Sequence, residues 1–253
     1  MRVLRVLPAL LLFLSCFVQA EDVVPLRFCF EDKQLLPHYA GKGTQVANPP
    51  GSTIEQLQAA VKNIPQLKLQ LQRKPWLRCL QLLEQNRIDA IVANFSVSRL
   101  HFSVYPMKPD NTPDYELALG QHGSCLVLRQ DDSLGGRAIK DLVFARPLGY
   151  LMPGYPEHAT ILPVESQQKA FELVLQGRVD ATLTLCEASK VTLSHDLANG
   201  LQLVHPPLHQ ATGYLVYSKA FYQNHANLAS ALWLELPKHR DASRYQRYLQ
   251  PPQ

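Results

Sequence analysis

The stretch DAIVANFSVSRLHFSVYPM (Asp89–Met107) changes character part-way along. Ala90–Ala93 is a short apolar run of the kind that buried parallel strands show. Asn94, Ser96, Ser98 and Arg99 follow at once. Open α/β sheets place their ligands beyond the carboxyl ends of the strands. A polar cluster at that point is a candidate site, provided the flanking chain builds such a sheet.

The chain before it does. Pro25–Phe30 reads as a first strand, closed by Glu31-Asp32, and Pro37-His38-Tyr39 falls in the loop after it. Ser52-Thr53-Ile54-Glu55 has the form of a capping box opening a helix with Ile54, Leu57 and Val61 on one stripe. Leu67–Leu71 alternates as a strand. Trp76–Gln85 reads as a helix with Leu77, Leu80 and Leu83 inward, stopped at Asn86. Residues 25–95 therefore form a βαβαβ unit, which requires right-handed crossovers and a parallel sheet.

A second block repeats the pattern. Leu142–Phe144 and Ile161–Val164 read as strands around a Gly/Pro/Tyr loop, Gly149–Tyr155. Ser166 caps a helix over Gln167–Gln176, and Thr182–Leu185 is the next strand. The segments LLEQNRIDAIVANF (82–95) and LVLQGRVDATLTLC (173–186) share a helix end, a turn with arginine, Ile/Val-Asp-Ala and a strand, offset by 91 residues. Asp89 and Asp180 match in the two, which points to a shared structural task. Leu117–Leu128 leads from the first block to the second, and Thr212–Ser218 returns. Two crossings make a hinge, and a cleft between lobes is a common site for small molecules. Leu228–Leu236 and Ala242–Leu249 are closing helices.

Met1–Ala20 carries Arg2 and Arg5, an apolar run from Val6 to Val18, and a small residue at Ala20. This is the form of a secretory signal peptide, cut after Ala20. The whole chain has 25 Lys and Arg against 21 Asp and Glu, a net +4, which falls to +2 without Arg2 and Arg5. So small a charge, with no basic block, argues against a nucleic-acid partner. Cys29, Cys79, Cys125 and Cys186 remain after the leader. In an oxidising compartment an even count suggests up to two disulfides, with three pairings open and buried free thiols the alternative. No CxxC or HxxH spacing suggests a metal.

The arrangement resembles the extracellular solute-binding proteins of family 3, the amino-acid-binding type. The residues that carry the likeness are the leader, PWLRCL (75–80), Arg87-Ile88-Asp89-Ala90, the loop Asn94–Arg99, Val104-Tyr105-Pro106-Met107 and Gly177–Ala181. The resemblance implies an α/β, two-lobed type II periplasmic binding protein-like fold. Each lobe is a doubly wound, mostly parallel sheet, and two hinge crossings join them. Lobe 1 would take residues 21–118 plus 213–253, and lobe 2 residues 119–212. It further implies a periplasmic monomer that closes on a small anionic or zwitterionic, amino-acid-like solute. The partner would be a membrane transporter permease, with no cofactor and no catalysis.

In that family the loop after the third strand of lobe 1 supplies hydroxyls and an arginine that holds the ligand carboxylate. Arg99 matches the arginine by position, and Ser96 and Ser98 match the hydroxyl donors, with Asn94 beside them. Many members place the arginine three residues after a threonine, whereas Arg99 directly follows Ser98. A planar guanidinium grips a carboxylate with two parallel hydrogen bonds. Where relatives carry an aspartate for the ligand amine, this chain has Leu185, followed by Cys186 and Glu187, so Glu187 is the available replacement. Tyr39 and Tyr155 follow the first strands of the two lobes and are candidates for cleft walls. Trp76 is either wall or core, and His101 and His122 fall near the cleft or hinge. The same architecture sets the crossing strand beside the third strand of lobe 2, which implies Cys125–Cys186, and packs the second helix on the first strand, which implies Cys29–Cys79. An enzyme of dehydratase or lyase type on this scaffold would need a carboxylate in the cleft, and Glu187 is the candidate. A sensory partner that presents a ligand to a receptor is the other alternative.

Overall fold

The computed structural model describes residues 22–132, 134–148, 155–188, 190–193 and 197–249. The expected leader and most of the loop at 149–155 lie outside the described residues. The first half of the fold is β1 (Val24–Glu31), α1 (Ser52–Lys62), β2 (Leu67–Lys74), α2 (Trp76–Glu84), β3 (Ala90–Asn94) and the short β4 (Ser103–Val104). The long β5 (Gly120–Arg129) leads into β6 (Val143–Pro147), β7 (Thr160–Val164), α3 (Gln167–Leu175), β8 (Thr182–Ala188) and β9 (Val191–Thr192). The longer β10 (Leu201–Ser218) returns, and α4 (Lys219–Asn224), α5 (Ala226–Glu235) and α6 (Ala242–Leu249) complete the chain.

Eight strands form one sheet, ordered β2-β1-β3-β10-β5-β8-β9 with β4 on β10. β1 runs parallel to β2 and β3, while β10 is antiparallel to both β3 and β5. In the second half β6 is parallel to β7 and touches β8 through a parallel Phe144–Ala181 bridge. β5 is antiparallel to β8. Each half therefore has the order second strand, first strand, third strand, crossing strand. The sheet runs unbroken from one half to the other through β10 and β5, with a bulge between Val204 and His209.

The core follows from this layering. On one face of the first half, Leu57, Ala60 and Val61 of α1 and Leu232 and Trp233 of α5 pack on Leu26, Phe28 and Leu215. On the other, Trp76, Cys79 and Leu83 of α2 pack on Ile91, Tyr214 and Val216. In the second half, Ala170, Leu173 and Val174 of α3 cover Val127 and Ala145. The opposite face buries Leu126, Phe144 and Leu183 beneath Leu134, Ile139 and Tyr155. Disulfides join Cys29 to Cys79 and Cys125 to Cys186, each with Cα atoms 5.6 Å apart, so both expected pairings form.

The repeated aspartates do the same work in both halves. Asp89 N donates to Arg27 O, and its Oδ2 accepts from Arg27 N at 2.7 Å and Nε at 2.8 Å. Asp180 N donates to Val143 O, and its Oδ2 accepts from Val143 N at 2.8 Å, while Oδ1 accepts from Arg137 at 2.8 Å. Each side chain thus ties the start of a third strand to the first strand of its half. Burial pushes the Asp180 carboxyl up, but its bonds from Val143 and Arg137 outweigh this and hold it below the ordinary carboxylate range. Asp89→Ala leaves a covered amide and a half-covered guanidinium without their acceptor. It is expected to cost about 2–3 kcal/mol in urea denaturation, and Asp180→Ala about half of that because its surroundings are wetter. Both variants within experimental error of the parent chain would disprove the shared role.

Two local expectations are corrected. The capping box does not form, because α1 is capped at Gly51 and Ser52 is already helical. Gly51 sits at φ 112°, where a side chain would overlap the His38 carbonyl. Ser52 Oγ donates instead to Pro37 O, and Glu55 is drawn away to Arg244, Arg247 and Tyr248 on α6. On α2, Leu77 is half exposed. Trp76 and the bridged Cys79 set the inward face, and the face rotates accordingly.

Candidate functional site

β3 ends at Asn94, whose carbonyl accepts from Arg99 Nη1 at 3.1 Å and from the Tyr105 hydroxyl at 3.0 Å. A single helical turn, Val97–Arg99, folds the arginine back over the strand end. Ser103 Oγ donates to Arg99 O at 2.8 Å and fixes the turn. Arg99 is only 5% exposed. A guanidinium carries five N–H donors, and one bond to a carbonyl uses a fraction of them.

Arg99 lines a cavity of about 160 Å³ with walls from both halves of the fold. Tyr39, Trp76 and Asn94 lie on one side, His122 and Ser124 of β5 at the back, and Thr184 and Leu185 of β8 on the other. It opens into a wider space of about 580 Å³ that shares Leu35, Leu36, Gln167 and Thr184 and is rimmed by Lys33, Lys42 and Lys169 together with Glu165 and Glu172. Tyr39 is held against Phe30 at 5.1 Å between ring centroids. Burial pushes its hydroxyl pKa up, with Glu31 adding to the effect. The loop that carries Tyr39 is anchored by Arg73, whose guanidinium donates to the carbonyls of Glu31, Ala40, Gly41 and Gln45.

Among the described residues lining the cavity, Arg99 is the one permanent charge and no carboxylate appears. Two imidazoles, His38 and His122, lie edge to face at 5.1 Å. Burial lowers the pKa of His38 to about 4. It lowers that of His122 to about 3, with His38 adding to the shift. Both are neutral at pH 7, so Arg99 is the charged group among the described lining residues and favours an anion beside it.

The structure thus gathers Arg99, Asn94, Tyr39 and Trp76 at the cleft and sets other expected residues elsewhere. Ser96 and Ser98 hydrogen-bond to each other at 2.7 Å on the outside of the loop. Tyr155 turns into the second half, donating to Ala145 O at 3.2 Å and packing on Phe144. Glu187 accepts from Gln210 at 2.9 Å, pairs with Gly123 across β5 and β8, and is not among the residues lining the cavity. His101 is exposed beside Glu84. The cavity takes its hydroxyls from Ser124 and Thr184 instead, both at least nine-tenths buried. A polar residue inside an otherwise apolar strand, as in GSCLVL (123–128), was the available signal.

The strand order, the two crossing strands and the cavity between the halves decide the architecture. This is a type II periplasmic binding fold. Solved structures agree. The ancestral amino-acid-binding protein that is a precursor of cyclohexadienyl dehydratase matches with a TM-score of 0.62 and 14% identity, over 89% of this chain and 95% of that one. The GluR0 ligand-binding core from Nostoc punctiforme, in complex with L-glutamate, gives 0.61 and 13%, over 89% and 100%. The substrate-binding protein of an amino acid ABC transporter gives 0.58 and 11%, over 89% and 97%. No protein-family model matches the sequence, and a comparison with curated proteins finds no match. At such identities the type II periplasmic binding fold is what is shared. Most of these neighbours are binding proteins, and one precedes a dehydratase. No helix among the described residues is long and apolar enough to cross a membrane.

Proposed function

We propose that the protein is an exported solute-binding protein that captures a small carboxylate-bearing molecule between its two lobes and delivers it to a membrane transporter. The observation that carries this reading is the buried Arg99 guanidinium at the end of β3, facing a cavity with walls from both halves. Contacts to both sides stabilise a closed state relative to an open one. Neighbours that are substrate-binding proteins of amino acid ABC transporters, one of them described as extracellular, support the transport partner, a site of action outside the cytoplasm and action without catalysis. Under the enzyme alternative Glu187 would supply the acid or base, and its bond to Gln210 outside the cavity speaks against that. Asn94, Tyr39 and Trp76 shape the site around the carboxylate.

Calorimetry against a panel of amino acids and other carboxylates tests the reading. Hydrogen bonds to a charged group contribute about 1.5–3 kcal/mol, so Arg99→Ala is expected to weaken the best ligand by roughly 10–100-fold. Arg99→Lys should recover part of the loss, because a point charge lacks the paired geometry. An Arg99→Ala protein that binds as well as its parent would rule the proposal out.

A further inference from the structure

The described residues of α6 do not line the Arg99 cavity, yet the helix touches both halves of the fold. Three of its side chains tie it to the first half. Arg244 and Arg247 pair with Glu55 of α1 at 3.3 and 3.1 Å. The Tyr248 hydroxyl donates to Glu55 Oε1 at 2.6 Å and accepts from Gly51 N at 3.0 Å. Tyr245 and Leu249, four residues apart, form a separate apolar stripe. They bury against Ala188 of β8 and Leu193 just beyond β9, with Leu185 of β8 and Leu36 of the first half at the margin. Tyr245 also covers His38 at 5.7 Å and His122 on the crossing strand β5 at 5.6 Å between ring centroids. Tyr248 and Leu249 reach the wider space, whose walls include Leu35 of the first half and Leu197 of the second. The helix therefore runs along the flank of the cleft.

The two attachments differ in kind. At Glu55 two guanidinium groups and a hydroxyl converge on one carboxylate, and such charge-assisted bonds are directional and strong. At Ala188 and Leu193 the contact is apolar, and it is lost outright once the surfaces separate. When the halves part about the crossing strands, α6 stays with Glu55 and the apolar patch opens. Leu193 is only 1% exposed, and wetting it disfavours that movement.

We infer that α6 is a latch: held to the first half at Glu55, it grips the second half through Tyr245 and Leu249 and favours the arrangement in which both halves wall the Arg99 cavity, before any solute enters. The inference deepens the proposed function and rests on its reading that the halves close on a solute. Apparent affinity scales with the fraction of molecules in the competent arrangement. Residues remote from Arg99 thereby set how tightly the site binds.

Small-angle scattering of the full-length protein without solute tests this. Leu193→Ala trims the patch and alters neither the cavity lining nor that of the wider space. It is expected to raise the ratio of open to closed molecules roughly tenfold, read as a shift to a larger radius of gyration. Leu249→Ala, from the other side of the same contact, should shift the radius in the same direction and carries the test if the first variant fails to fold. The double variant should add little to the larger single shift, because both remove one contact. Val164→Ala, in the core beneath α3, is the control. It should lower the urea midpoint and leave the radius at the parental value. The latch is overturned if Leu193→Ala and Leu249→Ala both keep the parental radius, or if Val164→Ala expands the protein as much as they do. Either result leaves the Arg99 site standing, because no solute enters the measurement. An Arg99→Ala protein that binds as its parent does would remove the carboxylate reading and leave the latch.

Discussion

Moving the protein from pH 7.5 to pH 4.5 is expected to remove about 3 kcal/mol of stability through His122 alone, with His38 acting in the same direction. Burial, the larger cause, and the neighbouring His38 depress the His122 pKa to about 3, and burial depresses that of His38 to about 4. In the unfolded chain both return to about 6.5. The unfolded state therefore binds more protons than the folded state throughout the interval from about 6.5 down to the folded values. Stability is complete above pH 6.5 and falls as the solution is acidified towards pH 4. The rings are faced by each other, by Tyr245 and by the Thr53 hydroxyl, and Arg99 shares their cavity. None of these supplies the negative charge that would stabilise an imidazolium. Domains of ordinary stability hold about 5–15 kcal/mol, so the loss is a large fraction. Urea denaturation at several pH values measures it directly. His122→Phe should flatten the profile between pH 6.5 and 4.5 relative to the parent chain. An unchanged slope in that variant would show that His122 titrates normally in the folded chain and contributes nothing to the acid sensitivity.

The second large effect is expected from the disulfides. Cys29–Cys79 spans 50 residues and Cys125–Cys186 spans 61. Loops of this length confine the unfolded chain by about 4 kcal/mol each on the chain-entropy account. Cys29→Ala with Cys79→Ala frees α2 from β1 behind the cleft wall that holds Trp76. Cys125→Ala with Cys186→Ala removes the covalent tie between the paired strands β5 and β8, which carry Ser124 and Thr184. Each pair of substitutions should lower the denaturation midpoint substantially, and the second should also weaken ligand binding. Full stability after reduction in native buffer, verified by thiol titration, would show that packing alone holds these contacts.

The architecture was legible because it rests on repeated, short-range signals. The helix–turn–strand pattern around Asp89 and Asp180 specified two equivalent halves, and the bonds from these carboxylates to Arg27 and Val143 show why the residue recurs. The cysteine pairs followed once the strand order was assumed. The site was only partly legible. Arg99 and Asn94 sit in the same turn of chain that places them, so local reading reached them. Ser96 and Ser98 are on the same loop, yet a one-turn helix directs them outward to each other. The direction of a side chain on so short a turn is a matter of tertiary packing. Glu187 was carried over by counting, and a bulge between Gly123 and Ser124 shifts the β5–β8 register at that point. His38 and His122 are 84 residues apart and meet only because the crossing strand runs under the loop after β1. No spacing rule brings such a pair together.

The unbroken sheet also imposes an order of assembly. Asn94 at the end of β3 pairs with Gly213 of β10, 119 residues further along the chain. Strands β5 to β9 are contiguous in sequence and can find one another early. The half that carries Arg99 instead waits with β3 as an open edge until β10 arrives, and Leu215, Tyr217 and Trp233 complete its core at the same moment. Long-range pairings of this kind form slowly, and an unpaired edge recruits strands from other chains. A chain interrupted before Gly213 therefore displays an adhesive edge beside an unfinished cavity. The intact chain completes the walls of the Arg99 cavity last, after the half opposite has taken shape.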